Sequence, residues 1–127
     1  MSNLPENFLY TDDHEWVGLD EAAGTATVGV TEFAAKQLGD VVYVDLPAEG
    51  DTVTAGETMG EIESTKSVSD LFSPLTGEVV EVNQEVVDSP ELVNDHAFDK
   101  AWLVKVRYES VPETLLDPAA YAELVGE

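Results

Sequence analysis

The chain contains no cysteine and very few basic residues. Without thiols it forms no disulfide, no cysteine-ligated metal site and no cysteine nucleophile, so any thiol chemistry must come from an attached group. Only five Lys and Arg residues accompany 27 Asp and Glu residues, and the resulting net charge of −22 repels nucleic acids and anionic membranes. No apolar run approaches the roughly 20 residues of a membrane span. No basic residue precedes Lys36, so neither a signal peptide nor a transit peptide is expected, and we predict a cytoplasmic protein.

The strong acidity predicts adaptation to a salt-rich cytoplasm, as in halophiles. So much like charge destabilises a folded chain unless salt screens it. A disordered acidic chain is the less favoured interpretation, because 43% of the residues are hydrophobic and four Phe, four Tyr and two Trp are present. An acidic protein from an ordinary cell remains the alternative.

The length of 127 residues predicts a single domain over residues 1–127. Short apolar segments separated by turn residues predict a mainly β fold of antiparallel strands. Thr31 as N-cap and Gly39 as a stop predict a short helix near 31–38, over Glu32 to Leu38 after the cap, and Asp117 followed by Pro118 predicts a C-terminal helix near 117–125. The predicted strands cover residues 15–20, 25–30, 41–46, 58–64, 67–73, 79–83 and 102–108.

Segments 50–59 and 83–92 are weakly similar to each other. Each begins with a residue that tolerates a positive φ, places Val at the fourth position and ends near a large apolar residue. The similarity predicts two related motifs of short strands packed as a flattened barrel or sandwich, although so few matches also arise by chance.

Lys66 lies in a polar stretch between apolar Ile62 and Val68, which predicts an exposed hairpin tip. Its acidic neighbours Glu63 and Asp70 make it a poor Schiff-base catalyst, since that role needs a desolvated amine. An exposed lysine is better suited to acylation by a separate enzyme. For a lysine taken at random, a solvated surface residue is the usual interpretation.

The residues around Lys66 resemble the lipoylation motif of glycine cleavage H proteins. The motif covers Gly60-Glu61-Ile62-Glu63-Ser64-Thr65-Lys66-Ser67, and nearly the whole chain is similar to the family in order and spacing. Biotinyl carrier domains place Met on both sides of the lysine, and lipoyl domains of 2-oxo acid dehydrogenases place it between Asp and Ala, so both fit less well. Further similar blocks are His14-Glu15-Trp16-Val17, Val28-Gly29-Val30-Thr31, residues 38–47, Ser73-Pro74, Gly77-Glu78-Val79, Pro90-Glu91-Leu92-Val93-Asn94 and Trp102-Leu103. The segment 97–102 departs from the family pattern.

The resemblance implies a carrier rather than an enzyme, with a flattened barrel-sandwich hybrid fold like that of lipoyl and biotinyl carriers. Lipoate would be attached to Lys66 as an amide by a lipoylating enzyme. The arm would take the aminomethyl group of glycine from the pyridoxal-phosphate glycine decarboxylase (P protein) to the tetrahydrofolate-dependent aminomethyltransferase (T protein). Dihydrolipoamide dehydrogenase (L protein) would then reoxidise it. A lipoate relay to other complexes and an unmodified lipoyl-like binding module are the alternatives.

Four further residues acquire expected roles from the resemblance. Glu63 and Gly77 match positions that lipoylating enzymes read, although Gly77 could be only a hairpin glycine with positive φ. Glu15 and Asp70 match acidic positions of a groove for the loaded arm. No metal site is expected, because the two histidines, His14 and His96, have no ligand spacing.

Overall fold

The computed structural model describes residues 7–112 and 114–126, which form two antiparallel sheets and four short helices. One sheet has six strands in the order β1-β2-β3-β9-β8-β5, and the other has three in the order β4-β6-β7. The predicted mainly β, flattened barrel-sandwich fold is confirmed. The strands are β1 (Leu9–Tyr10), β2 (Glu15–Asp20), β3 (Thr25–Val30), β4 (Val41–Asp45), β5 (Thr52–Val53), β6 (Thr58–Ser64), β7 (Val68–Phe72), β8 (Thr76–Val82) and β9 (Val104–Ser110); the helices are α1 (Glu32–Leu38), α2 (Gln84–Asp88), α3 (Leu92–Asp95) and α4 (Pro118–Val125).

Local sequence signals account for the two helices that were predicted. The Thr31 hydroxyl accepts a hydrogen bond from the Ala34 amide at 3.2 Å, and Gly39 ends α1 with a φ of 80°. The Asp117 carboxylate accepts from the Ala120 amide at 2.8 Å, and Pro118 occupies the first turn of α4. Both predictions are confirmed. No helix among the described residues is long and apolar enough to cross a membrane.

The two sheets bury their facing side chains in a shared core. The six-stranded sheet contributes mainly valines, and the three-stranded sheet contributes Val44, Ile62 and Leu71. Leu46 and Met59 pack against both groups and join them. A third cluster, formed by Tyr10, Trp16 and Tyr121, attaches α4 to the six-stranded sheet.

The predicted similarity between segments 50–59 and 83–92 is wrong at the level of structure. The first segment contains strand β5, whereas the second contains helix α2. Asn83 makes the difference: its side chain accepts from the Glu85 amide at 3.2 Å and so caps a helix, which Gly50 has no side chain to do. The Asn83 amide group also donates to the carbonyls of Lys100 and Trp102, at 2.9 and 2.6 Å, and anchors the start of α2.

Candidate functional site

Lys66 lies at the tip of the β6–β7 hairpin and is exposed, as predicted. The Ser64 amide donates to the Ser67 carbonyl at 2.8 Å and closes the loop. Neither Thr65 nor Lys66 has a positive φ, so the loop is not one of the tight primed turns that usually join two strands. Instead, the Ser64 hydroxyl accepts from the Ser67 amide at 3.1 Å, so a serine side chain shapes the turn below the lysine.

The hairpin tip is held to the body of the protein by a second set of hydrogen bonds. The Thr65 amide donates to the Asp40 carbonyl at 3.0 Å. Residues 39–41 are in turn held by Asn94 of α3, whose Oδ1 accepts from the Val41 amide at 2.9 Å and whose Nδ2 donates to the Gly39 carbonyl at 2.8 Å. The root of the Lys66 side chain is therefore fixed by residues from α3 as well as by its own hairpin.

Gly39 provides the surface on which the lysine stem rests. A Cβ at this position would lie 3.2 Å from Cε and 3.8 Å from Nζ of Lys66. Its φ of 80° also lies in the region that L-residues rarely adopt. Glycine is therefore needed here for the positive φ that ends α1, and the end of the lysine side chain lies close beside it.

A groove of about 210 Å³ runs beside the hairpin, between strand β7 and helix α1. Glu15 and Asp70, the two carboxylates expected to serve a loaded arm, both line this groove. Apolar side chains form part of its wall, and Ser67, the residue after the lysine, lies at its edge. The apolar lining residues are Val30, Ala34, Leu38, Ile62, Val68 and Leu71.

Glu15 is a buried carboxyl group, with only 2% of its surface exposed. Its Oε2 accepts from the Phe72 amide at 2.9 Å, and its Oε1 accepts from the Thr11 hydroxyl at 3.3 Å. Burial, with a smaller contribution from the Asp13 carboxylate, raises the pKa of Glu15 to about 8, although the hydrogen bond from Phe72 opposes the shift. A carboxyl group with this pKa is mostly protonated at neutral pH.

His14 occupies the end of the groove beside Glu15 and has a positive φ of 67°. Its Nδ1 lies 2.9 Å from the Tyr121 hydroxyl, and its ring packs on Phe33 with centroids 4.7 Å apart. Burial lowers the pKa of His14, so the ring is neutral at physiological pH. Among the described residues no group of three or more His, Asp or Glu side chains is arranged to hold a metal ion.

Glu63 and Gly77 lie in different sheets. Glu63 is half-buried in β6, three residues before Lys66, whereas Gly77 is buried in β8 of the six-stranded sheet. Gly77 does not have a positive φ, so its interpretation as a hairpin glycine is wrong. A Cβ there would collide with the Arg107 carbonyl and lie 2.8 Å from Cα of Tyr108, so close packing of β8 on β9 requires the glycine.

Comparison with known proteins gives this site its context. The family model described as glycine cleavage H-protein matches residues 8–127. The chain belongs to the glycine cleavage H-protein family. It is 60% identical to the glycine cleavage system H protein of Streptomyces avermitilis, over 99% of both chains. It is 53% identical to the H protein of Thermobifida fusca, over 96% of this chain and 95% of that one.

A solved H-protein structure has the same fold. The crystal structure of the H protein from Mycobacterium marinum superimposes with a TM-score of 0.92 at 43% identity, covering 98% of this chain and 100% of the other. H proteins are carrier components of the glycine cleavage system, so this chain is a carrier component and not itself an enzyme.

Two residues of the site were missed in the sequence. Gly39 was interpreted only as the end of α1, and Asn94 only as part of a block similar to H proteins. Asn94 forms hydrogen bonds with Val41 and Gly39, which lie 53 and 55 positions earlier in the chain. No local pattern could therefore connect it to the lysine hairpin.

Proposed function

We propose that this H-protein family member carries lipoate as an amide on Lys66. The observation that supports this most strongly is the exposed lysine at a hairpin tip fixed from below, in a chain of the H-protein family. Lipoate, when attached, supplies the two sulfur atoms that accept the aminomethyl group and undergo the redox change. That contribution agrees with the absence of cysteine from the chain.

We infer that the arm serves three enzymes in turn. It takes the aminomethyl group from glycine decarboxylase (P protein), delivers it to aminomethyltransferase (T protein), and is reoxidised by dihydrolipoamide dehydrogenase (L protein). The chain itself presents the lysine: the Asp40 carbonyl fixes the hairpin through the Thr65 amide, and the lysine stem lies beside Gly39. Membership of the glycine cleavage H-protein family supports this set of partners.

The groove beside β7 is the proposed shelter for the loaded arm. A primary amine at the end of the arm is cationic and needs acceptors, which Glu15 and Asp70 can provide. Because a nearby cation favours the ionised carboxylate, docking of the amine should displace the proton from Glu15. The apolar wall of the groove would keep bulk water from the bound amine and slow its hydrolysis.

Glu63 is the proposed recognition residue for the lipoylating enzyme. Its position in β6 close to the tip, with part of its side chain exposed, supports this role. For Gly77, close packing against β9 explains the glycine without recognition, and its recognition role stays a prediction. The cytoplasmic location, the salt-rich setting and the single-domain organisation over 1–127 also stay predictions.

Reconstitution with the three partner enzymes tests this function. The wild-type protein, lipoylated in vitro, should support glycine-dependent release of CO₂ and reduction of NAD. Lys66→Arg keeps the positive charge but removes the acylated amine, so it should abolish both, whereas the exposed Lys36→Arg should behave as wild type. Full activity of Lys66→Arg would refute the proposal. A lipoylated wild-type protein that does not serve these enzymes would favour the relay.

A further inference from the structure

Exposed apolar side chains are concentrated around the lysine hairpin. Among the described residues, only four large hydrophobic side chains are strongly exposed. Three of them, Val42, Tyr43 and Val68, belong to strands β4 and β7, which flank the strand leading to Lys66; the fourth, Leu124, is on α4. On a surface dominated by carboxylates, such a concentration next to a single lysine indicates an interaction site.

The register of the three-stranded sheet places two of these residues in one row. Tyr43 pairs with Glu63, and Glu63 pairs with Val68. Their neighbour Ile62 is buried, so by the alternation of a strand this row lies on the outer face of the sheet. It is also the last row in which β6 pairs with β7 before the lysine loop. Tyr43 is 48% exposed and Val68 is 58% exposed.

The next row on the same face consists of three exposed carboxylates. Asp45 pairs with Glu61, and Glu61 pairs with Asp70. Like charges directly opposite each other destabilise a sheet, and no Lys or Arg within the described residues forms an ion pair with any of the three. A basic partner would relieve this repulsion. These six residues, Tyr43, Glu63, Val68, Asp45, Glu61 and Asp70, constitute what we call the outer face.

We propose that the outer face is the docking surface for the enzyme that forms the amide on Lys66, and that this enzyme presents an apolar recess flanked by basic side chains. The recess would receive Tyr43 and Val68, and the basic side chains would pair with the carboxylates beside them. The inference rests on the proposed lipoylation of Lys66 and extends recognition from Glu63 to the five residues around it.

The chemistry of the step favours this enzyme over the three that use the finished arm. Nζ of Lys66 attacks the carbonyl of an activated lipoyl group, such as an acyl adenylate. The N–C bond forms and the C–O bond to the leaving group breaks, with its electron pair going to the leaving oxygen. The starting ammonium loses two protons to solvent or a base and keeps the third as the amide N–H. The enzyme must therefore bring its active site to Nζ, next to the outer face. Enzymes that act on the sulfur atoms meet them at the far end of a pentanoyl chain, so their active sites are not brought to Nζ itself.

The rate at which apo protein is lipoylated at Lys66, followed by intact mass, tests the proposal. Tyr43→Ser and Val68→Ser should each reduce kcat/KM for lipoylation about tenfold, mainly through KM. Tyr43→Phe should retain most of the rate. Leu124→Ser removes an equally exposed apolar side chain from α4 and serves as the matched control. The double variant Asp45→Asn, Glu61→Gln should also be slower and should lose part of the salt dependence of the rate.

A second measurement distinguishes docking of the lipoylating enzyme from the later use of the lipoyl arm. Tyr43→Ser and the double variant Asp45→Asn, Glu61→Gln, driven to full lipoylation by long incubation, should support glycine decarboxylation within about twofold of wild type. Val68 also lines the groove beside β7, so Val68→Ser is compared in lipoylation alone. Lipoylation rates for Tyr43→Ser and Val68→Ser equal to that of Leu124→Ser would overturn the docking surface while leaving the carrier function intact. Losses of decarboxylation activity as large as the losses of lipoylation rate would also overturn the docking surface. A wild-type protein that is never lipoylated would overturn the proposed function itself, and this inference with it.

Discussion

Glu15 is both buried in the fold and part of the wall of a groove, and a carboxyl group rarely has both properties. It is the only carboxyl group that is buried among the described residues, and it lines the groove beside the lysine hairpin. Its hydrogen bonds with Phe72 and Thr11 fix its position, while burial raises its pKa to about 8. A group held nearly neutral until a cation arrives costs the fold less than a permanently charged one and still provides a carboxylate when the amine is bound.

The first prediction concerns the stability of the unmodified protein as a function of pH. Since the pKa of Glu15 in the fold, about 8, lies above the ordinary value of 4.5, the folded state holds the proton more tightly. This contribution is complete below pH 4.5 and is lost as the pH rises to 8, on the order of 5 kcal/mol in the free energy of unfolding. Glu15→Gln should therefore become more stable relative to wild type across this window in urea unfolding. The exposed Glu123→Gln should not, and parallel pH profiles for Glu15→Gln and wild type would contradict the prediction.

The second prediction concerns the lifetime of the loaded arm. Glu15→Gln and Asp70→Asn each remove one carboxylate from the groove, so the aminomethyl adduct should hydrolyse about threefold to tenfold faster in the absence of aminomethyltransferase. The adduct is measured by mass spectrometry after a single turnover with glycine decarboxylase, with Glu123→Gln as control. Unchanged lifetimes for both variants would show that the groove does not shelter the arm. Glu15→Gln should thus raise the stability of the fold at pH 8 and shorten the lifetime of the aminomethyl adduct. A variant with a damaged fold would not show both effects.

At the scale of elements, the base of the lysine hairpin depends on a helix distant in sequence. Asn94 of α3 holds the chain at Gly39 and Val41, and that chain holds the hairpin through the carbonyl of Asp40. The loop lacks the primed turn whose twist matches that of the two strands it joins. The direction of the lysine is therefore set by tertiary contacts as well as by the loop.

The third prediction tests this connection through Asn94→Asp. The substitution keeps the shape but replaces the Nδ2 donor to Gly39 with a second acceptor, so the protein should lose about 1–3 kcal/mol of stability. The Thr65 amide should exchange with solvent faster, since the chain that accepts its hydrogen bond is loosened. Gln84→Glu, an equivalent change on exposed α2, is the control. Unaltered exchange at Thr65, measured by NMR, would show that Asn94 does not support the hairpin.

Sequence patterns predicted the elements whose signals are local. Strands β2, β3 and β6 and helix α1 have the predicted bounds, because alternating apolar residues and a capping Thr31 are sufficient to define them. Strands β1 and β5 and helices α2 and α3 were missed. Each is only two to five residues long and carries no complete period, so contacts with the rest of the fold decide its conformation.

The residues of the candidate site also divide into those with a local sequence signal and those without one. Lys66 and its hairpin could be predicted because the motif is continuous in sequence. The outer face was not predicted, because the rows that join Tyr43 to Val68 and Asp45 to Asp70 exist only once β4, β6 and β7 are paired. The approach of the lysine stem to Gly39 likewise exists only in the folded chain.

At the scale of the whole molecule, acidic charge is balanced at few points. Within residues 7–112 and 114–126, the only ion pairs between a Lys or Arg side chain and a carboxylate are Lys105 with Glu81 and Arg107 with Glu78, at 3.6 and 3.2 Å. Both pairs lie at the surface, where such contacts contribute little. The net charge of −22 is therefore opposed mainly by ions in solution.

The fourth prediction is that salt stabilises the fold. Raising KCl from about 0.1 M to about 1 M shortens the screening length from ~10 Å to ~3 Å. The Tm should increase by about 10 °C over this range. The double variant Asp45→Asn, Glu61→Gln removes two charges from the acidic row and should show a smaller increase, as measured by calorimetry. A Tm that does not rise with KCl would contradict both the charge argument and the predicted salt-rich setting.

Intact mass with peptide mapping, on protein purified from its own cells, tests the central claim most directly. The account predicts a lipoyl adduct confined to the peptide that contains Lys66, and none on Lys36, Lys100 or Lys105. An unmodified Lys66 in cells that lipoylate their other carriers would contradict it, and the interpretation as an unmodified binding module would take its place.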